Sequence, residues 1–123
     1  MTDPAAELLD LQRLATLVDE IGDLALVREA VQTFLDESPD RLAAIRVALA
    51  GGDGQEIRSA AHALGSPAAM LGAAEVSRVS KLLQAAALEG RIDDCRPLVE
   101  QITDVARRTD TAMRDYLAQS ATA

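Results

Sequence analysis

His62 is the only histidine in the chain, and its imidazole is the one side chain here whose type and setting suggest reactive chemistry. It sits within Arg58-Ser59-Ala60-Ala61-His62-Ala63-Leu64-Gly65-Ser66-Pro67-Ala68-Ala69-Met70-Leu71-Gly72-Ala73, a stretch that reads as a helix. Ile57, Ala61, Leu64, Ala68 and Leu71 follow a four-then-three spacing, the buried seam of a helix in a bundle. At about 100° per residue, His62 lies roughly 140° from the centre of that seam and projects to solvent. Its neighbours at helical spacing are Arg58, Ser59, Gly65, Ser66 and Ala69, most of them small. An imidazole on so low a surface is open to close approach by another protein.

Other chemistries fail for want of residues. A di-iron bundle needs Glu-x-x-His pairs, and no glutamate stands three residues before His62. A zinc site needs three or four Cys or His ligands; the chain has one of each, Cys95 and His62. There is no Walker-type loop and no dinucleotide fingerprint, so nothing here binds ATP. Ser66, one turn after His62, has the spacing of a nucleophile with its base. It lacks a third group and oxyanion donors, so a hydrolase is a poor reading. The many Asp and Glu residues read as a solvated acidic surface.

The elements that must hold His62 are those of a small helical domain. With 123 residues there is room for one core and one domain, spanning 1–123 with an ordered part from about 7 to 118. Hydrophobic residues make up 49% of the chain and aromatics only 2%, so Leu, Ala, Val and Ile do the packing, a composition that favours helices over a sandwich or barrel. The net charge of -8 argues against nucleic acid, whose phosphates call for a basic patch. No apolar run approaches a membrane span, and Met1-Thr2-Asp3-Pro4 lacks the basic and apolar regions of a signal peptide. Cys95, alone, forms no internal disulfide and reads as a small residue near a helix start. A cytoplasmic location is the default expectation.

About six helical segments follow from periodicity and breakers. The first spans about Glu7 to Ile21, with Leu11, Leu14, Leu17, Val18 and Ile21 on one side; Gly22 stops it and Asp23 caps the next. The second carries Leu24, Val27, Val31, Phe34 and Leu35 to about Glu37, where Ser38-Pro39-Asp40 is expected to break it. The third carries Leu42, Ile45 and Leu49 and ends at Gly51-Gly52. Asp53 caps the fourth, which holds His62, and Gly72 separates it from the fifth, with Val76, Val79, Leu83 and Ala86. Gly90 ends the fifth. Asp93 or Asp94 is expected to cap the longest, with Leu98, Ile102, Val105, Ala112 and Tyr116 on its seam, before a fraying tail from Gln119 to Ala123. Short connections make antiparallel neighbours natural. The fold expected is all-α, an antiparallel up-and-down four-helix bundle with an additional N-terminal helix. The third segment either completes the second or packs as a cap. Monomer is the default, although Ala85, Ala86 and Ala87 form an Ala-rich face that would allow pairing with another chain.

From about Leu9 to Leu117 the chain resembles the histidine-containing phosphotransfer (HPt) domain family. Ala61-His62-Ala63-Leu64, with Gly72-Ala73 ten and eleven residues after the histidine, is similar to the family's Ala-His-x-Leu-Lys-Gly-Ser and its closing Gly-Ala. Phe34-Leu35-Asp36-Glu37-Ser38-Pro39-Asp40-Arg41-Leu42 is similar to the family's Phe, Pro and Leu spacing upstream. Ala48-Leu49-Ala50-Gly51-Gly52-Asp53 resembles its Ala-Leu-x-x-Gly-Asp turn. One departure falls at the site itself. Without a gap, Gly65-Ser66-Pro67 stands where the family has Lys-Gly-Ser, so the lysine is missing. Pro67 removes the backbone donor to the Ala63 carbonyl and is expected to bend the helix. Either the helix tolerates drift at these positions or the phosphate site is reshaped. Arg58, and Lys81 or Arg78 from the next helix, are candidates for a replacement charge, an ordinary surface role being the favoured reading of each.

The resemblance implies a phosphorelay carrier. His62 would take the phosphoryl group, with Arg58, Ser59, Gly65, Ser66, Ala69 and Lys81 as supporting or docking positions. The partners implied are a response-regulator receiver domain and a hybrid histidine kinase. No cofactor is expected on this chain, Mg²⁺ belonging to the receiver, and the chain would be a substrate and carrier with no kinase activity. The alternative is an HPt-like adaptor or inhibitor that docks a receiver or kinase without accepting phosphate. A third possibility is an acidic helical interaction protein outside phosphorelays.

Overall fold

The computed structural model describes residues 8–121. It consists of α1 (Leu11–Ile21), α2 (Leu24–Gly51), α3 (Gly54–Met70), α4 (Ala74–Leu88) and α5 (Ile92–Ser120). No strand occurs among the described residues. Helices α2 to α5 each pack on the next, α5 closes back on α2, and α1 packs on α2. This is the expected bundle of four with an added N-terminal helix. The expected start of the first helix at Glu7, and Thr122 and Ala123 of the tail, lie outside the described residues.

The polar boundaries are where side chains satisfy backbone donors that a helix start leaves open. The Asp23 carboxylate accepts from the Ala25 N–H at 2.8 Å, and that of Asp53 from the Gln55 N–H at 2.9 Å. Gly72, at φ +78, makes the α3–α4 turn. Its carbonyl accepts from the Asp10 N–H at 2.7 Å. A Cβ there would lie 2.8 Å from the Asp10 carbonyl oxygen, so only glycine lets the N-terminal segment close over this end.

Four expectations need correction. Pro39 does not break the second segment; α2 runs through it for 28 residues. The proline costs about 3 kcal/mol and removes one bond, to the Leu35 carbonyl. Val27, Val31, Phe34, Leu35 and Ile45 are buried on both sides of it. At about 1.5–3 kcal/mol for each side chain, their common burial outweighs the proline. The Ser38 hydroxyl donates to the Phe34 carbonyl at 2.6 Å within the same turn. The third segment therefore completes the second. Asp93 and Asp94 do not cap α5; Arg91 holds the cap position and both carboxylates fall in the first turn, where the helix dipole favours them. Arg91 Nη1 donates to Asp94 Oδ2 at 2.6 Å. Gln119 and Ser120 continue the helix, and the Ser120 hydroxyl accepts from Arg28 Nε at 3.1 Å. Finally, Ala86 and Ala87 are core residues. The C-terminal end of α4 comes so close to α3 that a Cβ on Gly54 would meet the Ala87 carbonyl at 2.4 Å. Two of the three alanines of that face are thus spent inside the bundle, and Ala85 alone is exposed.

The core itself follows the periodicity. Ile57, Ala61, Leu64 and Ala68 have no exposed surface, and Leu71 almost none. On α5 the buried line is Cys95, Val99, Ile102, Val105, Thr109 and Met113, while Leu98, Ala112 and Tyr116 are half-buried beside it. On α1 only Leu14 and Leu17 are buried; Leu11 and Ile21 are 58% and 48% exposed, since a short helix at the edge of the bundle has a narrow covered face.

Candidate functional site

His62 lies in the middle of α3, exposed, on the side away from the buried seam. Around it is an open recess of about 260 Å³ lined by Gln55, Arg58, Ser59, His62 and Gln84. Arg58 and Ser59 are thus brought together with the imidazole. Arg58 has no ion-pair or hydrogen-bond partner among the described residues, so its guanidinium charge is uncommitted.

The floor of this region is the close approach of α3 and α4. Ser80, fully buried, donates its hydroxyl to the Ala61 carbonyl at 2.8 Å, one residue before His62. Gln84 Nε2 donates to the same hydroxyl at 3.0 Å. The Gln84 amide is thereby fixed at the edge of the recess. Gly65 is buried beneath it: a Cβ there would fall 2.2 Å from Ser80 Oγ and 2.7 Å from Ser80 Cβ. Packing at position 65 is therefore not tolerant, and a long side chain has no room beside Ser80.

On the other flank, Pro67 does not end the helix, which continues to Met70. The Ala63 carbonyl, which the N–H of residue 67 would otherwise reach, accepts instead from Arg41 Nη1 at 2.8 Å. Arg41 comes from α2, and its Nη2 pairs with Glu37 Oε2 at 2.5 Å.

The remaining candidates are dispersed. Ser66 and Ala69 are exposed but line no part of the recess. Ala69, Lys81 and Arg78 line a separate groove with Asp10, Arg13 and Leu82. Arg78 is held by Glu75 at 3.0 and 2.8 Å. Its hydrogen bonds hold the Glu75 carboxyl below its usual range. Three residues at or beside the site were not singled out from the sequence: Gln55, Gln84 and Arg41. Gln55 was findable, two turns before His62 on the same face. Gln84 lies twelve residues after Gly72, as His62 lies ten before it, and near-equal spacing about an antiparallel turn sets two residues side by side. For Arg41 the signal was half present: Pro67 announces a carbonyl in need of a donor. Among the described residues no group of His, Cys, Asp and Glu is placed to hold a metal, and no helix is long and apolar enough to cross a membrane.

A four-helix bundle that presents one exposed imidazole on the face of a central helix defines the class of histidine phosphotransfer domains. The chain belongs to the Hpt domain family, whose model matches residues 29–123. Among solved structures it is similar to histidine-containing phosphotransfer protein B (HptB) from Pseudomonas aeruginosa PAO1, with TM-score 0.84 and 25% identity over 93% of this chain and 97% of that one. It also shares its fold with the HPT domain of an Hpt sensor hybrid histidine kinase from Shewanella, with TM-score 0.78 and 21% identity over 92% and 96% of the two chains. No curated protein matches the sequence. The protein is a histidine phosphotransfer protein of two-component phosphorelays, and proteins of this family are phosphocarriers rather than classical enzymes. Domains of this family work with receiver domains and hybrid histidine kinases.

Proposed function

We propose that His62 is the residue that carries the phosphoryl group between receiver-domain aspartates. What supports this is the recess: the single imidazole of the chain is exposed beside an uncommitted cation, Arg58. The lone pair of a neutral ring nitrogen attacks the phosphorus of an aspartyl phosphate. The N–P bond forms as the P–O bond breaks, and the electron pair leaves with the aspartate carboxylate. The ring keeps its other N–H and becomes a phosphoimidazolium, so no proton moves and no base on this chain is needed. Such a transfer depends on positioning and electrostatics. Arg58 offers charge-assisted hydrogen bonds to the phosphoryl oxygens. The Gln84 amide, with Nε2 held by Ser80, leaves an acceptor oxygen for an N–H. Ser59 contributes a hydroxyl and little bulk.

Magnesium and its carboxylates are supplied by the receiver in this reading, and ATP by the kinase upstream. The chain acts as a monomer in the cytoplasm, without nucleic acid or membrane, consistent with a net charge of -8 and no membrane-crossing helix among the described residues. The test is transfer from phosphorylated receivers to the wild type and to His62→Gln. Label confined to the wild type supports the assignment. Binding without label would make the protein a docking adaptor.

A further inference from the structure

A phosphoryl group on His62 brings close to two negative charges onto a chain whose net charge is already -8. Arg58 stands one turn before the histidine. At Gly65, three residues after it, there is no side chain, and Ser80 fills the space a Cβ would take. Lys81 lines a different groove and makes no bond to α3. Among the described residues, the further cation bonded to α3 near the histidine comes from α2.

We propose that Arg41 is a second phosphate-supporting cation for His62, anchored on the carbonyl that Pro67 leaves free; this rests on His62 being the phosphoacceptor. Arg41 Nη1 donates to the carbonyl of Ala63, the residue immediately after His62, at 2.8 Å. The guanidinium is thus tied to the Ala63–Leu64 peptide unit, one removed from the phosphoacceptor, in the neighbouring groove with Pro67 and Met70. Ala63 is exposed and carries only a methyl group, so no bulky side chain on that residue screens the charge. Glu37 Oε2 takes Nη2 at 2.5 Å. These two bonds engage two of the five guanidinium N–H donors. The side chain keeps 33% of its surface exposed, leaving donors for an incoming phosphoryl group or for the acyl phosphate of a docked receiver. Pro67 and Arg41 then form one device. The proline opens the helix ladder at Ala63, and the arginine fills the opening from a neighbouring helix, bringing its charge along.

Arg41 has a competing role, that of a purely structural donor to the orphaned carbonyl, and the experiment separates the two. Transfer from a phosphorylated receiver is measured as rate against receiver concentration for wild type, Arg41→Lys, Arg41→Gln and the double variant R41Q/P67A, with urea stability of each. In the double variant the Ala63 carbonyl regains its helical N–H partner, so the structural debt is cleared. Expected is a loss of about tenfold in the limiting transfer rate for Arg41→Gln. Arg41→Lys should recover most of that rate. R41Q/P67A should be as stable as wild type and as slow as Arg41→Gln. Wild-type transfer by R41Q/P67A would overturn the proposal, as would equal slowing by Arg41→Lys and Arg41→Gln. Failure of the wild type itself to take label would instead remove the assignment of His62 beneath it.

Discussion

Gly65→Ala is the substitution on which the description of the α3–α4 contact turns. In an open helix, replacing glycine by alanine stabilises by roughly 0.5–1 kcal/mol, because the unfolded chain loses freedom and the helix gains a better former. Here the added Cβ meets Ser80 Oγ at 2.2 Å and Ser80 Cβ at 2.7 Å. Either the two helices part, at an overpacking cost of about 1–3 kcal/mol, or the Ser80 hydroxyl swings away. In the second case it gives up its bonds to the Ala61 carbonyl and Gln84 Nε2, each worth about 0.5–1.5 kcal/mol. Both routes exceed the propensity gain, so the net change is a destabilisation of about 1–2 kcal/mol. Urea unfolding followed by far-UV circular dichroism measures it as a lower midpoint at unchanged slope. Ser80→Gly removes both colliding atoms. The double variant should therefore be less damaged than the sum of the singles, with a coupling of about 1 kcal/mol. Because Ser80 also fixes Gln84, Gly65→Ala should slow phosphotransfer under conditions where it is fully folded. A Gly65→Ala protein more stable than wild type by the propensity gain alone would refute this reasoning.

Two further outcomes follow from the same structure. Asp53→Ala removes the carboxylate that accepts from the Gln55 N–H at 2.9 Å and should cost about 1 kcal/mol in urea unfolding, with Asp53→Asn retaining most of the stability. Cys95 is fully buried in α5, and burial pushes its thiol up from the usual value. Near neutral pH it should resist alkylation in the native state and react only as fast as the bundle opens, so the rate should rise steeply with urea.

Much of this arrangement was legible because the bundle is built from periodic seams and simple breakers. Ile57, Ala61, Leu64, Ala68 and Leu71 carry the one pattern that both buries α3 and turns His62 outward. Asp23 and Asp53, each just past glycines, cap helices as their chemistry demands. Pro39 misled because its cost is local and legible, whereas the burial that overrides it is collective and depends on both halves of α2 lying along the core. Gly65 sits at the edge of the seam, and whether such a position is surface or interior depends on how near the next helix comes. Ser80 and Gly54 set that distance, and neither announces it in the sequence. Gln84 and Arg41 reach the site from other helices. Only the near-symmetric spacing about Gly72, and the donor missing at Pro67, hinted at them.

The central claim is that His62 carries the phosphoryl group. The most direct measurement is phosphotransfer from a panel of phosphorylated receiver domains of the same genome to the wild type and to His62→Gln, with the chemical stability of the label scored. The account predicts label on the wild type alone, lost in acid and kept in alkali as a phosphoramidate is, with His62→Gln unlabelled and equally helical. Equal label on His62→Gln, or a wild type that binds a receiver and never takes label, would contradict it.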